Sequence, residues 1–168
     1  GVMGLGSVGW KLAEMLHKAG ASLLIADINV PRTMRAAAQL DAEIVDPARL
    51  PFETMDVFAP CALGGVLTRD FAENAPVDII CGAANNQLAT PDVDGALWDA
   101  GKLYAPDYLV NAGGVINVAA EASGEYDAYC VGMKVREIAV EDAALVRVAA
   151  MLLMIVFAIK AAIFPVQF

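Results

Sequence analysis

A glycine-rich turn near the start of the chain constrains the fold more than any other sequence feature. The segment Gly4–Gly9 has the spacing Gly-x-Gly-x-x-Gly and stands between a short apolar stretch and an amphipathic one. Glycines at this spacing allow a tight turn out of a strand, a close approach of backbone amides to phosphates, and close packing of helix on strand. The sequence therefore predicts a strand, a phosphate-binding turn and a helix in immediate succession.

The next apolar run supports this interpretation because it ends in a carboxylate. Residues 21–26 are predicted as a buried parallel strand, and Asp27 follows at its carboxyl end. A carboxylate at that point can accept hydrogen bonds from both ribose hydroxyls of NAD, and its charge would repel the 2′-phosphate of NADP. No arginine stands immediately beside Asp27 in sequence, but Arg32 and Arg35 are near, so NADP is disfavoured without being excluded. A turn or helix cap is the alternative role for Asp27.

Strands and helices are predicted to alternate along the chain. The predicted strands cover residues 1–3, 21–26, 43–45, 56–59, 78–81 and 102–105, and the predicted helices cover 8–18, 31–40, 68–74, 90–100 and 111–122. This alternation predicts an α/β fold of the Rossmann type, a doubly wound parallel sheet with flanking helices. Folds of this type bind their ligands at the carboxyl ends of the strands.

Composition argues against several classes of function. The net charge of −9 over 168 residues leaves no basic stripe for the phosphates of a nucleic acid. The only histidine, His17, is predicted on the exposed side of the first helix, which argues against a histidine-based metal site or a Ser-His-Asp triad. The three cysteines are widely spaced and form no Cys-x-x-Cys pair, as expected for a reduced cytoplasmic protein.

Three later loops fall where ligand-binding loops are expected, at the ends of successive predicted strands. They are residues 60–65, 82–87 and 105–114. All three consist largely of small residues, and the last two add carboxamides, whose donor and acceptor suit an uncharged, amide-bearing ring such as nicotinamide. Each loop by itself could be a turn of asparagine and glycine, but three in succession favour the ligand-binding interpretation.

The same segments contain five longer motifs. These are GLGSVG at 4–9, ADIN at 26–29, FAPCALGG at 58–65, GAANNQL at 82–88 and YAPDYLVNAGGVINVA at 104–119. They resemble the cofactor domain of amino-acid dehydrogenases, in the subgroup of the leucine, valine and phenylalanine dehydrogenases. The resemblance covers about residues 1–140. It implies NAD-dependent oxidative deamination of an L-amino acid, branched-chain or otherwise apolar, to the 2-oxo acid and ammonia.

The resemblance also implies a role for individual residues. The candidate contacts of the pyrophosphate are Gly4, Gly6, Ser7, Val8 and Gly9. The other candidate cofactor contacts are Asp27 at the adenine ribose, Cys61, Ala62 and Asn85 on the ribose and nicotinamide side, and Ile28 and Ala84. Asn111 would face the junction of nicotinamide and substrate, where it would help to position the substrate; it is the catalytic candidate.

Members of the family also use lysines and an aspartate from a preceding substrate domain, and no lysine here matches those motifs. We therefore expect residues 1–140 to be a dinucleotide-binding domain without the N-terminal substrate domain, in a fragment of a longer polypeptide. Such a chain would bind NAD but turn over no substrate by itself. The family also implies a homo-oligomer.

The end of the chain departs from the family pattern. Residues 131–146 are predicted as an amphipathic helix, but residues 141–168 form an atypical tail in which positions 148–159 are all apolar. A buried helix or a helix at a subunit contact is favoured over a membrane span because the preceding domain has the pattern of a soluble one. An aberrant sequence end is a further alternative.

Two other functions stay open on the sequence. A Rossmann dehydrogenase for another substrate class, such as 2-hydroxy acids, would need a catalytic histidine with a carboxylate partner, and His17 is misplaced for that role. A module that senses NAD without catalysis would account for the missing lysines if the chain were complete.

Overall fold

A parallel sheet of six strands is the centre of the fold. The computed structural model describes residues 1–123 together with 127, 130 and 133. The strands are β1 (Val2–Met3), β2 (Leu24–Ala26), β3 (Glu43–Ile44), β4 (Met55–Pro60), β5 (Val77–Ile80) and β6 (Leu103–Tyr104). Their order in the sheet is β3-β2-β1-β4-β5-β6, and every pairing is parallel. This order confirms the predicted doubly wound sheet of the Rossmann type, whose direction of winding reverses between β1 and β4.

Helices cover both faces of the sheet. They are α1 (Ser7–Lys18), α2 (Val30–Leu40), α3 (Arg69–Asn74), α4 (Val93–Asp99), α5 (Asp107–Val110) and α6 (Ala112–Ala122), with a 3-10 turn at Leu50–Phe52. Side chains of α1, α2 and α5 form one buried cluster, and side chains of α3 and α4 form a second. Consecutive strand residues divide between the two clusters, Phe58 in one and Ala59 in the other. Because successive strand side chains point to opposite faces, strands buried on both faces must be continuously apolar.

Local signals in the sequence set several helix boundaries. Gly20 ends α1 in a left-handed conformation with φ of +86°, which a side chain would disfavour. The Asn29 side chain accepts a hydrogen bond from the Arg32 N–H at 3.0 Å at the start of α2. The Thr68 hydroxyl likewise accepts from the Phe71 N–H at 3.1 Å and caps α3.

Other predicted boundaries are wrong by a few residues. The strand predicted over 21–26 begins only at Leu24, because its first pairing partner is Glu43, the first residue of β3. Helix α1 begins at Ser7 rather than at residue 8, and α4 begins at Val93 rather than at residue 90. The predicted 105–114 loop contains the single turn of α5, which is too short to produce a helical period in the sequence.

His17 lies exposed on α1, as predicted. None of the helices formed by the described residues is long and apolar enough to cross a membrane. The predicted amphipathic helix at 131–146 and the apolar tail at 141–168 lie outside the described residues, apart from position 133.

Candidate functional site

The candidate site is a crevice at the carboxyl end of the sheet, where the loops after the central strands lie side by side. Backbone hydrogen bonds continue the sheet beyond its strands: Gly4 donates to Ala26 at 2.7 Å, and Cys61 donates to Met3 at 2.7 Å. One strand further on, the Ala84 N–H donates to the Pro60 carbonyl at 2.9 Å. These bonds align the loops after β1, β4 and β5, so that residues far apart in sequence share one edge.

The three glycines of the turn have different surroundings. Gly4 has φ of +96°, and a Cβ there would lie 2.7 Å from the Cβ of Ala62 in the neighbouring loop. A Cβ on Gly9 would overlap the carbonyl oxygen of Gly4. Gly6 faces open space and has no side chain to accept from the first N–H groups of α1. Gly4 and Gly9 are therefore required by packing, whereas Gly6 leaves the helix N-terminus accessible to an anion.

The carboxylate of Asp27 lies against this turn. It accepts the Leu5 N–H at 2.6 Å and the Asn29 N–H at 2.7 Å, and only 7% of its side chain is exposed. The Arg32 guanidinium approaches it at 3.4 Å. Burial acts to raise the pKa of Asp27, but the two backbone hydrogen bonds and the arginine charge outweigh burial, and the pKa lies below its usual value. Asp27 therefore stabilises the turn, which was the alternative role.

Arg32 is closer to this carboxylate than its place in the sequence suggests. It follows Asp27 by five residues, yet the first turn of α2 brings its guanidinium beside that carboxylate. Although no arginine is adjacent to Asp27 in the sequence, the fold brings the Arg32 side chain next to it.

The asparagines of the later loops come together as predicted for one site. The Asn111 side chain, at the junction of α5 and α6, donates its Nδ2 to the Oδ1 of Asn85 at 2.7 Å. Asn85 is exposed and Asn111 is half-buried at the crevice. Because both groups are carboxamides, this part of the crevice offers donors and acceptors without a charge.

The remaining predicted site residues lie on the same edge of the sheet with unequal exposure. Ile28 is 91% exposed, Ala62 is exposed and Cys61 is half-buried. Ala84 is buried, so that a ligand could meet its backbone more readily than its side chain.

Sequence reasoning missed the residues that hold the later loops in shape. Gln87 is fully buried, and its Nε2 donates to the carbonyls of Gly82 at 2.8 Å and Ala84 at 2.9 Å. The Asn86 N–H donates to the Asp107 carboxylate at 2.7 Å, and Asn86 itself has φ of +52°. The glutamine in the motif GAANNQL was the available signal, because a fully buried glutamine needs partners for its amide.

A close approach of two backbones adds to this arrangement. A Cβ on Gly64 would lie 2.6 Å from the Asn86 carbonyl oxygen and 2.7 Å from that of Asn85. The loop after β4 therefore packs directly against the loop that carries Asn85.

Comparison with known proteins gives consistent similarities. Residues 26–137 match the family described as Glutamate/Leucine/Phenylalanine/Valine dehydrogenase. A leucine dehydrogenase of Bacillus subtilis (strain 168) is 42% identical over 123 residues, which are 73% of this chain and 34% of that protein. A valine dehydrogenase of Streptomyces virginiae is 46% identical over 127 residues, 74% of this chain and 36% of that protein. This chain thus spans about a third of the length of these curated relatives.

A solved structure resembles the fold. The crystal structure of L-tryptophan dehydrogenase from Nostoc punctiforme superposes with a TM-score of 0.76 at 34% identity. The match covers 94% of this chain and 52% of that chain. The matched region of the family begins at residue 26, so the glycine-rich turn lies before it and is supported by its own geometry.

Proposed function

This chain belongs to the glutamate/leucine/phenylalanine/valine dehydrogenase family, and from that premise we propose that it is the cofactor-binding part of an NAD-dependent amino-acid dehydrogenase. The proposed substrate is an apolar L-amino acid, branched-chain in the first instance, which is oxidised at Cα and then hydrolysed by water to its 2-oxo acid with release of ammonia. When bound, NAD would supply the acceptor for a hydride from the substrate Cα. The proposal includes a homo-oligomeric, cytoplasmic enzyme, as the family resemblance implies.

One observation carries the proposal. The glycine-rich turn with Asp27 and the Asn85–Asn111 pair lie along the same edge of the sheet, on the two sides of the point where its winding reverses. Ligands of open α/β sheets bind at such a point. An extended dinucleotide could span it, with one end at each group of residues.

The first group suits the diphosphate and the adenine ribose. The N–H groups of Ser7 and Val8 open α1, next to the open space at Gly6, where the helix dipole favours a negative charge. Asp27 would accept from the ribose hydroxyls at the end of β2, and Ile28 would lie at the adenosine. Gly4 and Gly9 would contribute through the close packing that keeps the turn in place.

The second group suits the nicotinamide. Carboxamides can pair with the amide of the ring, and the Asn85–Asn111 hydrogen bond of 2.7 Å would fix their orientation. Cys61, Ala62 and Ala84 would line the ribose next to the ring. Asn111 would also position the substrate against the ring.

The remaining chemistry is not assigned to this chain. Binding of the substrate carboxylate and the proton transfers at the amino group need cationic and basic side chains, and the described part of the crevice presents carboxamides there. We therefore propose that the chain by itself binds NAD without turning over an amino acid.

Titration calorimetry with NAD, followed by an assay for NADH formation with leucine, valine and phenylalanine on the same sample, tests both statements. We expect binding without turnover. Replacing Asp27 by alanine should weaken NAD binding by about 1–3 kcal/mol, because charge-assisted hydrogen bonds are lost. Asp27→Asn removes the charge of the side chain but keeps its shape. Asp99→Ala, which removes an exposed carboxylate at the end of α4, is the matched control.

Each failure has its own meaning. A folded chain that binds no NAD would overturn the proposed function. Unchanged affinity in Asp27→Ala would leave Asp27 with its turn-stabilising role alone. NADH formation by the isolated chain would show that the catalytic groups lie within these 168 residues.

A further inference from the structure

We propose that Asp107 is a positioning residue of the cofactor site. Its carboxylate holds the loop after β5 against the start of α5, so that the side chains of Asn85 and Asn111 face each other. The inference rests on the proposed function, because those two carboxamides are the groups proposed for the nicotinamide. Asp107 itself is assigned no contact with the cofactor and would act through the two asparagines.

The carboxylate of Asp107 joins two loops that are 21 positions apart in sequence. It accepts the Asn86 N–H at 2.7 Å, and the residue before Asn86 is Asn85, whose side chain accepts from Asn111. None of the ion pairs formed within residues 1–123 includes Asp107. The charge of Asp107 therefore acts on the Asn86 N–H, and a hydrogen bond to a charged acceptor is stronger than one between neutral groups.

Three loops meet at Asn86. Its N–H is bound by Asp107 from the loop after β6, and its carbonyl accepts the Gly65 N–H at 2.8 Å from the loop after β4. Its φ of +52° lies in the left-handed region, which residues other than glycine adopt at a cost in energy. The hydrogen bonds on its two sides offset this cost. Only the bond to Asp107 uses a side chain, so a substitution can remove it without altering the backbone.

Asp107 also fixes the place of Asn111. The single turn of α5 separates the two residues, and the Asn111 N–H donates to the Asp107 carbonyl at 2.8 Å. One end of this turn is attached to Asn86 through the carboxylate, and the other end is attached to Asn85 through the bond of 2.7 Å between the carboxamides. Without the Asp107 carboxylate, the carboxamide pair would lose its second anchor, and its orientation would be less well defined.

The effect of Asp107 should be confined to the nicotinamide half of the cofactor. The diphosphate and the adenine ribose are proposed to bind at residues 4–9 and at Asp27. The carboxylate of Asp27 accepts from Leu5 and Asn29, and neither of these bonds involves α5 or the loop after β5. ADP-ribose, which lacks the nicotinamide, should therefore bind equally well without the Asp107 carboxylate. A residue that only stabilised the fold would affect both ligands alike.

Calorimetric titration of the full 168-residue chain with NAD and with ADP-ribose tests the inference. Asp107→Ala should weaken NAD binding by about fivefold and change ADP-ribose binding by less than about twofold. Asp107→Asn keeps the size of the side chain and an oxygen acceptor, and should return the NAD affinity to within about twofold of the parent. Because Asn86 is exposed, water can replace the carboxylate in Asp107→Ala, and the variant should stay folded.

Asp94→Ala is the matched control for the loss of charge. Asp94 lines the same surface cavity as Asp107, and its carboxylate is exposed at the start of α4. Its removal should change neither the NAD affinity nor the ADP-ribose affinity. A loss of NAD affinity in Asp94→Ala as large as in Asp107→Ala would mean that the charge of the cavity matters and not the bond to Asn86, which overturns the inference.

A double variant shows whether Asp107 acts through Asn111. If it does, Asp107→Ala combined with Asn111→Ala should weaken NAD binding by about fivefold in all, no more than either change alone. Independent effects would multiply to about 25-fold. That result would show that Asp107 acts by another route, and it would overturn the inference.

The remaining outcomes separate this inference from the proposed function. If the parent chain does not bind NAD, the proposed function fails and this inference fails with it. If the parent binds NAD and Asp107→Ala weakens neither ligand, or both equally, the inference is overturned and the proposed function stands. An Asp107→Ala chain that does not fold in a urea-denaturation experiment would make Asp107 a residue of the fold, which again overturns the inference alone.

Discussion

The two sides of the crevice differ in the kinds of residue that form them. The glycine side, Gly4–Gly9 with Asp27 and Arg32, depends on backbone packing and carries charge. The asparagine side, Asn85 and Asn86 with Asn111, presents carboxamides and is held by bonds between loops, one of them to the Asp107 carboxylate. A dinucleotide has the matching asymmetry, since its phosphates are anionic and its reactive ring must change charge during the reaction.

Under the proposed function, this difference would separate affinity for the cofactor from orientation of its ring. Charge at the glycine side can supply affinity for the anionic half of a ligand without acting on the ring. The asparagine side can then orient the ring through directional, uncharged hydrogen bonds. Substitutions on the two sides of the crevice should therefore have different effects. The following experiments test this difference, from the largest expected effect to the smallest.

Gly9→Ala should have the largest effect. Its Cβ would overlap the Gly4 carbonyl oxygen, so helix and strand must move apart. We expect the free energy of unfolding to fall by about 3 kcal/mol, measured by urea denaturation. Gly95→Ala on α4, where a Cβ meets nothing within 4 Å, is the control and should stabilise the helix slightly. A Gly9→Ala chain as stable as the parent would contradict the packing role of this glycine.

Gly6→Ala should give the opposite pattern. A Cβ at Gly6 meets no neighbour, so stability should be nearly unchanged. The methyl group would, however, enter the space through which a diphosphate approaches α1. We expect NAD affinity to fall by about tenfold, or about 1.4 kcal/mol, in a calorimetric titration. An unchanged affinity would place the diphosphate elsewhere.

Asn111→Ala tests the asparagine side. The substitution removes the donor to Asn85, and NAD binding should weaken by about 1 kcal/mol. ADP-ribose, which lacks the nicotinamide, should bind the variant and the parent equally. Equal losses for both ligands would mean that Asn111 acts on the fold and not on the ring. In a chain that also carries the substrate-binding part, the loss in turnover should exceed the loss in cofactor affinity.

Thr68→Ala changes neither the glycine side nor the asparagine side of the crevice. It therefore tests whether a loss of stability by itself changes NAD binding. It removes the cap of α3, and the free energy of unfolding should fall by about 1 kcal/mol. NAD affinity at 25 °C should stay the same, because the buried side chains of α3 belong to a different cluster from those of α1 and α5. A weaker affinity would indicate that the crevice responds to stability in general.

The pH dependence of Asp27 should be the smallest effect. Its pKa in the folded chain lies below the unperturbed value of 3.8, so its contribution to stability is complete above that value and is lost as the pH falls through the folded-state pKa. In urea denaturation between about pH 5 and pH 2, the difference in free energy of unfolding between the parent and Asp27→Asn should shrink as the pH falls. If the free energies of unfolding of the parent and the variant changed in parallel with pH, the carboxylate would not be stabilised by Leu5, Asn29 and Arg32.

Features encoded by neighbouring residues could be predicted from the sequence. The alternation of strands and helices, the glycine that ends α1 and the cap at Thr68 depend on short segments, and all agree with the structure. Boundaries were less accurate, because the ends of parallel strands depend on partners far along the chain. The single turn of α5 is shorter than any helical period.

Contacts between distant residues could not be worked out in the same way. Asn111 and Asn85 are 26 positions apart; the order of the predicted strands placed their loops at one edge of the sheet, but the hydrogen bond between the two side chains was not predicted. The approach of Arg32 to Asp27 depends on the angle at which α2 leaves the sheet, which no local pattern encodes. Gln87 was predicted only as part of a loop, since burial of a polar side chain is decided by the surrounding structure.

Gln87 has a consequence for how a ligand would associate. By tying the carbonyls of Gly82 and Ala84 together before anything is bound, it leaves this loop little conformational freedom to lose. Preorganisation of this kind lowers the entropic cost of association. A cofactor ring that binds there would contact a surface that is already formed. The loop would therefore not have to change its conformation on binding.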